Sequence, residues 1–143
     1  MPSAKLLFMR RPRFRTLAHR ADLRLAVWGD SEAELIGNAV LGAMTLALGT
    51  PPRMGALHRA VIRPWPGDLA SMLVRAINES LFILYARHEV AVHFELIGGA
   101  ATLALGPLPP GAIPELEVKA ATYHELRPRR HRRRLAAILT LDV

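Results

Sequence analysis

The sequence predicts an α+β domain in which two amphipathic helices cover one face of a mainly antiparallel sheet. Two segments carry apolar residues at helical spacing, and about six others alternate or form short apolar runs between glycine and proline signals. The chain has 143 residues, of which 51% are hydrophobic, and this is enough apolar material for one sizeable core. We therefore expect a basic leader at residues 1–13 and a single domain at 14–143.

The first element predicted is a half-buried strand over residues 14–28. Its apolar residues occupy one side in alternation, namely Leu23, Leu25 and Val27. The polar and small residues between them include Asp22 and Arg24, so the side chain of Asp22 should face solvent.

A helix is predicted next, over residues 31–48. Ser31 and Glu34 have the spacing of a capping box, which satisfies free N–H groups at a helix start. Apolar residues then recur at helical spacing. The helix should stop near Gly49, ahead of two prolines.

A short strand at residues 58–63 precedes a second helix at 68–85. Asp68 follows a proline-glycine turn and is a plausible helix cap. One continuous apolar stripe then predicts a core-facing helix. It consists of Leu69, Met72, Leu73, Ala76, Ile77, Leu81 and Leu84.

The remaining segments predict strands. Residues 90–96 alternate and lead through Gly98-Gly99 into a short apolar run, which indicates a hairpin. Residues 115–126 alternate again, and this places Lys119 on the side away from Val118. The last strand is expected at 135–141.

Composition excludes several kinds of chemistry. The chain has no cysteine, so a disulfide framework, a thiolate zinc site and a cysteine nucleophile are all excluded. No run of about eighteen consecutive apolar residues suggests a membrane span, and a cytosolic protein is expected. Phosphate-binding glycine loops, nucleophile elbows and close acid/base carboxylate pairs are absent from the sequence. We therefore predict no catalytic and no cofactor-binding residue.

The net charge of +7 is concentrated in two arginine clusters, which lie within residues 10–24 and 127–134. Clusters of this kind attract polyanions such as RNA, or an acidic protein face. The alternative is an ordinary solvated surface, because no aromatic residues are interleaved with the arginines. The second cluster lies in or beside a turn and supplies the predicted partner-binding residues Arg129, Arg130, Arg132 and Arg133.

Four segments in the same order resemble signatures of the archease family. Residues 19–23 (HRADL) are similar to its His-Thr-Ala-Asp-Ile motif, and residues 78–81 (NESL) to its Asn-Glu-Leu-Leu motif. Residues 117–126 (EVKAATYHEL) resemble its Val-Lys-Ala-Val-Thr-Tyr-His segment, and 138–143 (ILTLDV) its terminal Leu-Asp-Val. Together these motifs span most of the chain.

The resemblance implies a metal-binding accessory protein rather than an enzyme. Members of the family activate the RtcB-type GTP-dependent RNA ligase of tRNA splicing and RNA repair, by promoting its guanylylation and turnover. By position, the family's metal ligands fall on Asp22, Asp142 and Val143, and a divalent cation, calcium, is implied. Lys119 lies within the third motif and becomes a candidate contact for the ligase or its RNA.

The residue types alone do not decide whether these positions bind a metal. Hard cations take carboxylate and carbonyl oxygens, and the carboxylate expected at Val143 would adjoin Asp142. The alternative is that each aspartate is a surface charge paired with an arginine. Arg20 and Arg24 replace the threonine and glycine usual in the family signature, and a cation two residues from Asp22 weakens the case for metal.

Three other functions compete with ligase activation. The first is direct RNA binding through the arginine clusters, and the second is a chaperone-like role toward enzymes that act on nucleic acids. The third is a metal-dependent hydrolase, for which the sequence offers no base or nucleophile.

Overall fold

The computed structural model describes residues 13–17 and 22–143, and within them eight strands form two antiparallel sheets beside two helices. The helices are α1 (Glu32–Leu48) and α2 (Leu69–Arg87). The strands are β1 (Phe14–Leu17), β2 (Leu23–Gly29), β3 (His58–Val61), β4 (Glu89–Ile97), β5 (Ala100–Pro107), β6 (Ala120–Thr122), β7 (Arg129–His131) and β8 (Arg134–Asp142). The predicted α+β class is confirmed.

The larger sheet has the order β1-β2-β8-β6, and β7 also pairs with β8. The smaller sheet has the order β3-β5-β4. Strand β8 is central because it pairs with β2 along seven residues, with β6 at its last three residues and with β7 at its first three. The predicted strands are thus divided between two sheets rather than joined in one.

Helix α1 begins and ends where the sequence predicts. The Ser31 side chain accepts a hydrogen bond from the Glu34 N–H at 3.1 Å. At the other end, Gly49 has a φ of 78°, a left-handed conformation that favours glycine. A Cβ at Gly49 would also collide with the carboxylate of Glu115.

Helix α2 is capped by Asp68, whose carboxylate accepts the Ser71 N–H at 2.9 Å. That hydrogen bond lowers the pKa of Asp68. The helix is long and apolar enough to cross a membrane by composition alone. In this fold its stripe from Leu73 to Leu84 is buried, as expected of a core helix.

The predicted strand at 14–28 is wrong in one respect, because the structure has two paired strands there. Phe14 lies opposite Val27 and Leu17 opposite Arg24, so the chain reverses between β1 and β2. Residues 18–21 contain no glycine or proline, and the sequence therefore gave no turn signal at this point.

The predicted strand at 115–126 is also wrong, since only the three residues of β6 are a strand. The N–H groups of Glu115 and Leu116 both donate to the Ala47 carbonyl at the end of α1, at 2.7 and 3.3 Å. The N–H and the carbonyl of Val118 both form hydrogen bonds with the Tyr85 hydroxyl of α2. These hydrogen bonds take the place of the strand-to-strand hydrogen bonds that were predicted here. The predicted alternation of buried and exposed residues also fails, because Val118 and Ala121, three residues apart, are both buried.

The core lies between the helices and the inner faces of the sheets. Helix α1 contacts β2 of the larger sheet and β4 of the smaller one. Leu25 and Leu139 of the larger sheet face this core and are fully buried. The opposite face of the larger sheet carries residues such as Arg24 and Ile138, which retain contact with solvent.

Candidate functional site at the end of the larger sheet

The two predicted metal-binding aspartates meet at one end of the β2–β8 pair. Leu23 lies opposite Leu141 in the last pair of the β2–β8 ladder, and Asp22 and Asp142 are the next residues beyond that pair at the same end. Asp142 is the last residue of β8, whereas Asp22 immediately precedes β2 instead of lying on a strand.

Strand β6 fixes the main chain of Asp142 from the other side. Ala120 lies opposite Asp142, and the Lys119 N–H donates to the Asp142 carbonyl at 2.8 Å. The carboxylate of Asp142 is exposed, and Asp22 is half-buried. The two aspartates therefore lie at the same end of the larger sheet, and both are in contact with solvent.

Neither carboxylate forms an ion pair with a cation in the described part of the chain. Within residues 13–17 and 22–143, Asp22, Asp142 and Arg24 take part in no ion pair. Two adjacent carboxylates repel each other unless a cation lies near them. The proposed pairing of these aspartates with arginine, the alternative to a metal, is not found among the described residues.

The donor set fits a hard divalent cation in chemistry, because it consists of carboxylate oxygens. Side chains alone do not complete it, since no group of three or more His, Asp or Glu residues in the described part of the chain could hold a metal. The predicted set of Asp22, Asp142 and Val143 contains two such side chains. Its third member is Val143, which is exposed beside Asp142 and would supply a main-chain oxygen.

A small cleft of about 40 Å³ adjoins this position. It is lined by Asp22, Arg24, His124, Glu125 and Thr140. The Thr140 hydroxyl donates to the His124 carbonyl at 3.4 Å, which ties the loop after β6 to β8. The cleft thus brings a further carboxylate and an imidazole near Asp22, together with the positive charge of Arg24.

Lys119 lies just before β6 and is exposed. Its predicted placement on a strand is wrong for the reason given above. Its N–H hydrogen bond to Asp142 nevertheless anchors it next to the two carboxylates. The predicted role of Lys119 in contacting a ligase or RNA stays a prediction.

Two residues of α2, Asn78 and Tyr85, hold the main chain of residues 118–121 in place, a role that was not predicted from the sequence. The Asn78 amide donates to the Ala121 carbonyl at 3.2 Å and accepts the Ala121 N–H at 2.7 Å. Seven residues on, the Tyr85 hydroxyl donates to the Val118 carbonyl and accepts the Val118 N–H, both at 2.9 Å. Burial raises the pKa of Tyr85.

A signal for this clamp was present in the sequence. Asn78 and Tyr85 are two turns apart on one face of α2, and polar groups on a packed helix face need hydrogen-bond partners. The partners could not be named, because the segment at 118–121 was predicted to be an ordinary strand.

One member of the first arginine cluster, Arg13, makes contacts within the fold. Arg13 forms ion pairs with Asp30 and Glu34, at the start of α1. Arg15 is exposed on β1. Arg10, Arg11 and Arg20 lie outside the described residues.

The second cluster forms the hairpin between β7 and β8, at the predicted place. Arg129 and Arg130 are on β7, and Arg132 has a φ of 57° in the turn. With Arg133, all four are exposed, as predicted. Their predicted role in partner binding stays a prediction.

The outer face of the larger sheet carries an open groove of about 600 Å³. Its floor is formed by outward residues of β2 and β8, namely Ala26, Trp28, Ala136 and Ile138. Arg24 lies on one side, and Arg127 and Arg129 lie on the other with Glu125. Arg24 and Glu125 also line the cleft at Asp22, so the two depressions adjoin.

Comparison with known proteins identifies the family. The model of the archease protein family matches residues 14–143. A protein archease from Methanosarcina mazei is 27% identical over 124 residues, which cover 80% of this chain and 84% of that protein.

Two solved structures share the fold. The solution structure of protein 1598 of Methanobacterium thermoautotrophicum has a TM-score of 0.68 at 20% identity, covering 93% of this chain and 100% of that one. The crystal structure of an archease from Thermotoga maritima, described as a possible chaperone, has a TM-score of 0.66 at 17% identity, with 94% and 98% covered. Since the family model spans the whole described domain, this chain belongs to the archease family.

Proposed function

We propose that this protein is a metal-binding accessory factor that activates an RtcB-type GTP-dependent RNA ligase by promoting its guanylylation and turnover. The observation that carries the proposal is that Asp22 and Asp142 both adjoin the last pair of the β2–β8 ladder, Leu23 and Leu141, and have no ion-pair partner in the described part of the chain. Family membership supports the same role. The protein would act in the cytoplasm, in tRNA splicing and RNA repair.

The cation would be held by the side chains of Asp22 and Asp142 and by a main-chain oxygen of Val143. Calcium suits such a site, because it accepts several carboxylate oxygens in flexible geometry. When bound, it supplies positive charge at a point where phosphate or a partner's carboxylate can approach. The chain's own part is to fix the donors, through the β2–β8 register and the Lys119 hydrogen bond.

In this proposal the protein is not itself an enzyme. Its surface beside the carboxylates, including Lys119 and the β7–β8 arginines, would contact the ligase. A chaperone-like function is the second candidate, because the Thermotoga maritima relative is described as a possible chaperone. Suppressing aggregation of unrelated unfolded proteins, with no effect on a ligase, would favour that candidate.

The test is a guanylylation and RNA-joining assay with a cognate RtcB-type ligase present at a tenth of the RNA concentration or less. Wild-type protein should convert a single round of joining into many rounds. Asp22→Asn and Asp142→Asn should each lose this effect while remaining folded. Glu32→Gln is the matched control, since Glu32 is an exposed carboxylate on α1 outside the cleft.

Two results would count against the proposal. One is an unchanged number of turnovers with wild-type protein. The other is full activation by both aspartate variants, which would leave ligase activation standing but remove the metal from it.

A further inference from the structure

The groove on the outer face of the larger sheet combines positive charge with an apolar floor that includes one aromatic side chain. It is lined by three arginines, Arg24, Arg127 and Arg129, and by one carboxylate, Glu125. Arg15 lies on the same face of the sheet, opposite Ala26. The groove lining is therefore basic.

Its floor is apolar and includes one aromatic side chain. Trp28 and Ile138 point outward from β2 and β8, and both remain partly accessible to solvent. Along β2, Arg24 and Trp28 are four residues apart, which is about 13 Å of strand. Basic walls along an aromatic floor are the features that bind single-stranded nucleic acid, by backbone contact and base stacking.

We propose that this groove binds single-stranded nucleic acid, with Arg24, Arg127 and Arg129 contacting phosphates and Trp28 stacking against a base. Its volume of about 600 Å³ is within the range of small-ligand sites, so it holds a short segment of strand. The inference goes beyond the proposed function. It requires neither the cation nor the ligase.

Two other candidate occupants of the groove do not complement its positive charge. The segment at residues 1–12 carries Lys5, Arg10 and Arg11 and no acidic residue, so the arginines of the groove would repel it. A second copy of the chain has a net charge of +7 and would be repelled as well. An acidic peptide is a separate possibility, which the experiment below distinguishes.

The first measurement is fluorescence anisotropy of a labelled oligouridylate of about ten nucleotides, a length within the range of known single-strand sites. EDTA is present throughout, so that a bound cation plays no part. Affinity should fall with salt, with a logarithmic slope of about −0.7 for each phosphate neutralised. An oligothymidylate of equal length tests whether the groove distinguishes RNA from DNA, and binding of either strand at the groove supports the proposal.

Neighbouring arginines provide a matched pair of variants. Arg129 lines the groove, whereas Arg130, the next residue on β7, is equally charged and exposed but does not line it. Arg24→Gln and Arg129→Gln should each weaken binding about tenfold, and Arg130→Gln should change it about twofold or less. Equal losses in Arg129→Gln and Arg130→Gln would show diffuse attraction to a basic surface and overturn the proposal.

Tryptophan fluorescence provides the second measurement. The chain has two tryptophans, and Trp65 packs against Phe94 with ring centroids 5.6 Å apart. In a Trp65→Phe variant, Trp28 is the sole reporter, and adding oligouridylate should quench it in parallel with the anisotropy change. Absence of quenching, or displacement of the oligonucleotide by equal concentrations of poly-glutamate, would contradict a nucleic-acid groove.

Discussion

The amide side chain of Asn78 makes both of its hydrogen bonds to the main chain of Ala121, at 2.7 and 3.2 Å. In this way α2 satisfies the outer edge of the short strand β6, whose other edge pairs with β8. The residue in the family's Asn-Glu motif thus supports the strand beside Asp142. Its hydrogen bonds are to the backbone of Ala121.

Asn78→Leu should therefore lower the free energy of unfolding by about 2–3 kcal/mol, because it leaves the N–H and carbonyl of Ala121 without partners near the core. Urea denaturation measures the change. Glu79→Gln is the control: Glu79 pairs with Arg75 on the helix surface and should contribute less than about 1 kcal/mol. An Asn78→Leu variant as stable as Glu79→Gln would show that the clamp is unimportant.

Tyr85→Phe should lower the free energy of unfolding by about 1–3 kcal/mol, since the N–H and carbonyl of the buried Val118 both lose their hydrogen-bond partner. In the wild-type protein, the stabilisation that Tyr85 provides should depend on pH. Because the pKa of Tyr85 is raised in the fold, the unfolded chain loses this proton first, and stability falls as the pH rises above the ordinary value of 10.0. Thermal melts from pH 8 to 11 should show the two proteins converging at the alkaline end, at about the pKa of a free tyrosine and above. A constant difference between them would contradict this account.

Replacing Arg129, Arg130, Arg132 and Arg133 together by glutamine should change the melting temperature little. All four are exposed, and none is in an ion pair among the described residues. Binding to the ligase or to RNA should weaken. Unfolding of the variant would mean that the hairpin arginines are structural.

Arg24→Gln should strengthen binding of a divalent cation a few-fold. Arg24 lines the same cleft as Asp22, and two like charges a few ångströms apart in water repel by about 1 kcal/mol. Calcium titrations of this variant and of Arg130→Gln provide the comparison. If Arg24→Gln bound calcium more weakly than wild type, the guanidinium would be supporting the site instead of opposing it.

Local signals allowed much of the fold to be predicted. Ser31, Asp68 and Gly49 act on their immediate neighbours, so the ends of the helices could be placed from the sequence. The irregular path before β6 could not, because it depends on distant contacts. The Ala47 carbonyl and the Tyr85 hydroxyl, which determine that path, are on helices far away in sequence.

The candidate site was predictable in part for the same reason. The alternation around Leu23 and Leu139 places Asp22 and Asp142 on outward faces, but only the pairing of β2 with β8 brings them to the same end of the sheet. The groove was not foreseen, since two of its arginines, Arg127 and Arg129, are separated from Trp28 by about a hundred residues of chain. Aromatic and basic residues that are far apart in sequence show no interleaving.

Isothermal titration calorimetry with calcium, and then with magnesium and manganese, tests the metal site most directly. Wild-type protein should bind one divalent cation and gain thermal stability from it, because the cation binds the native state preferentially. Asp22→Asn and Asp142→Asn should lose both effects while circular dichroism shows an intact fold, and Glu32→Gln should retain them. Wild-type protein that binds none of the three cations, or aspartate variants that bind as wild type does, would contradict a cation site at the end of β2 and β8.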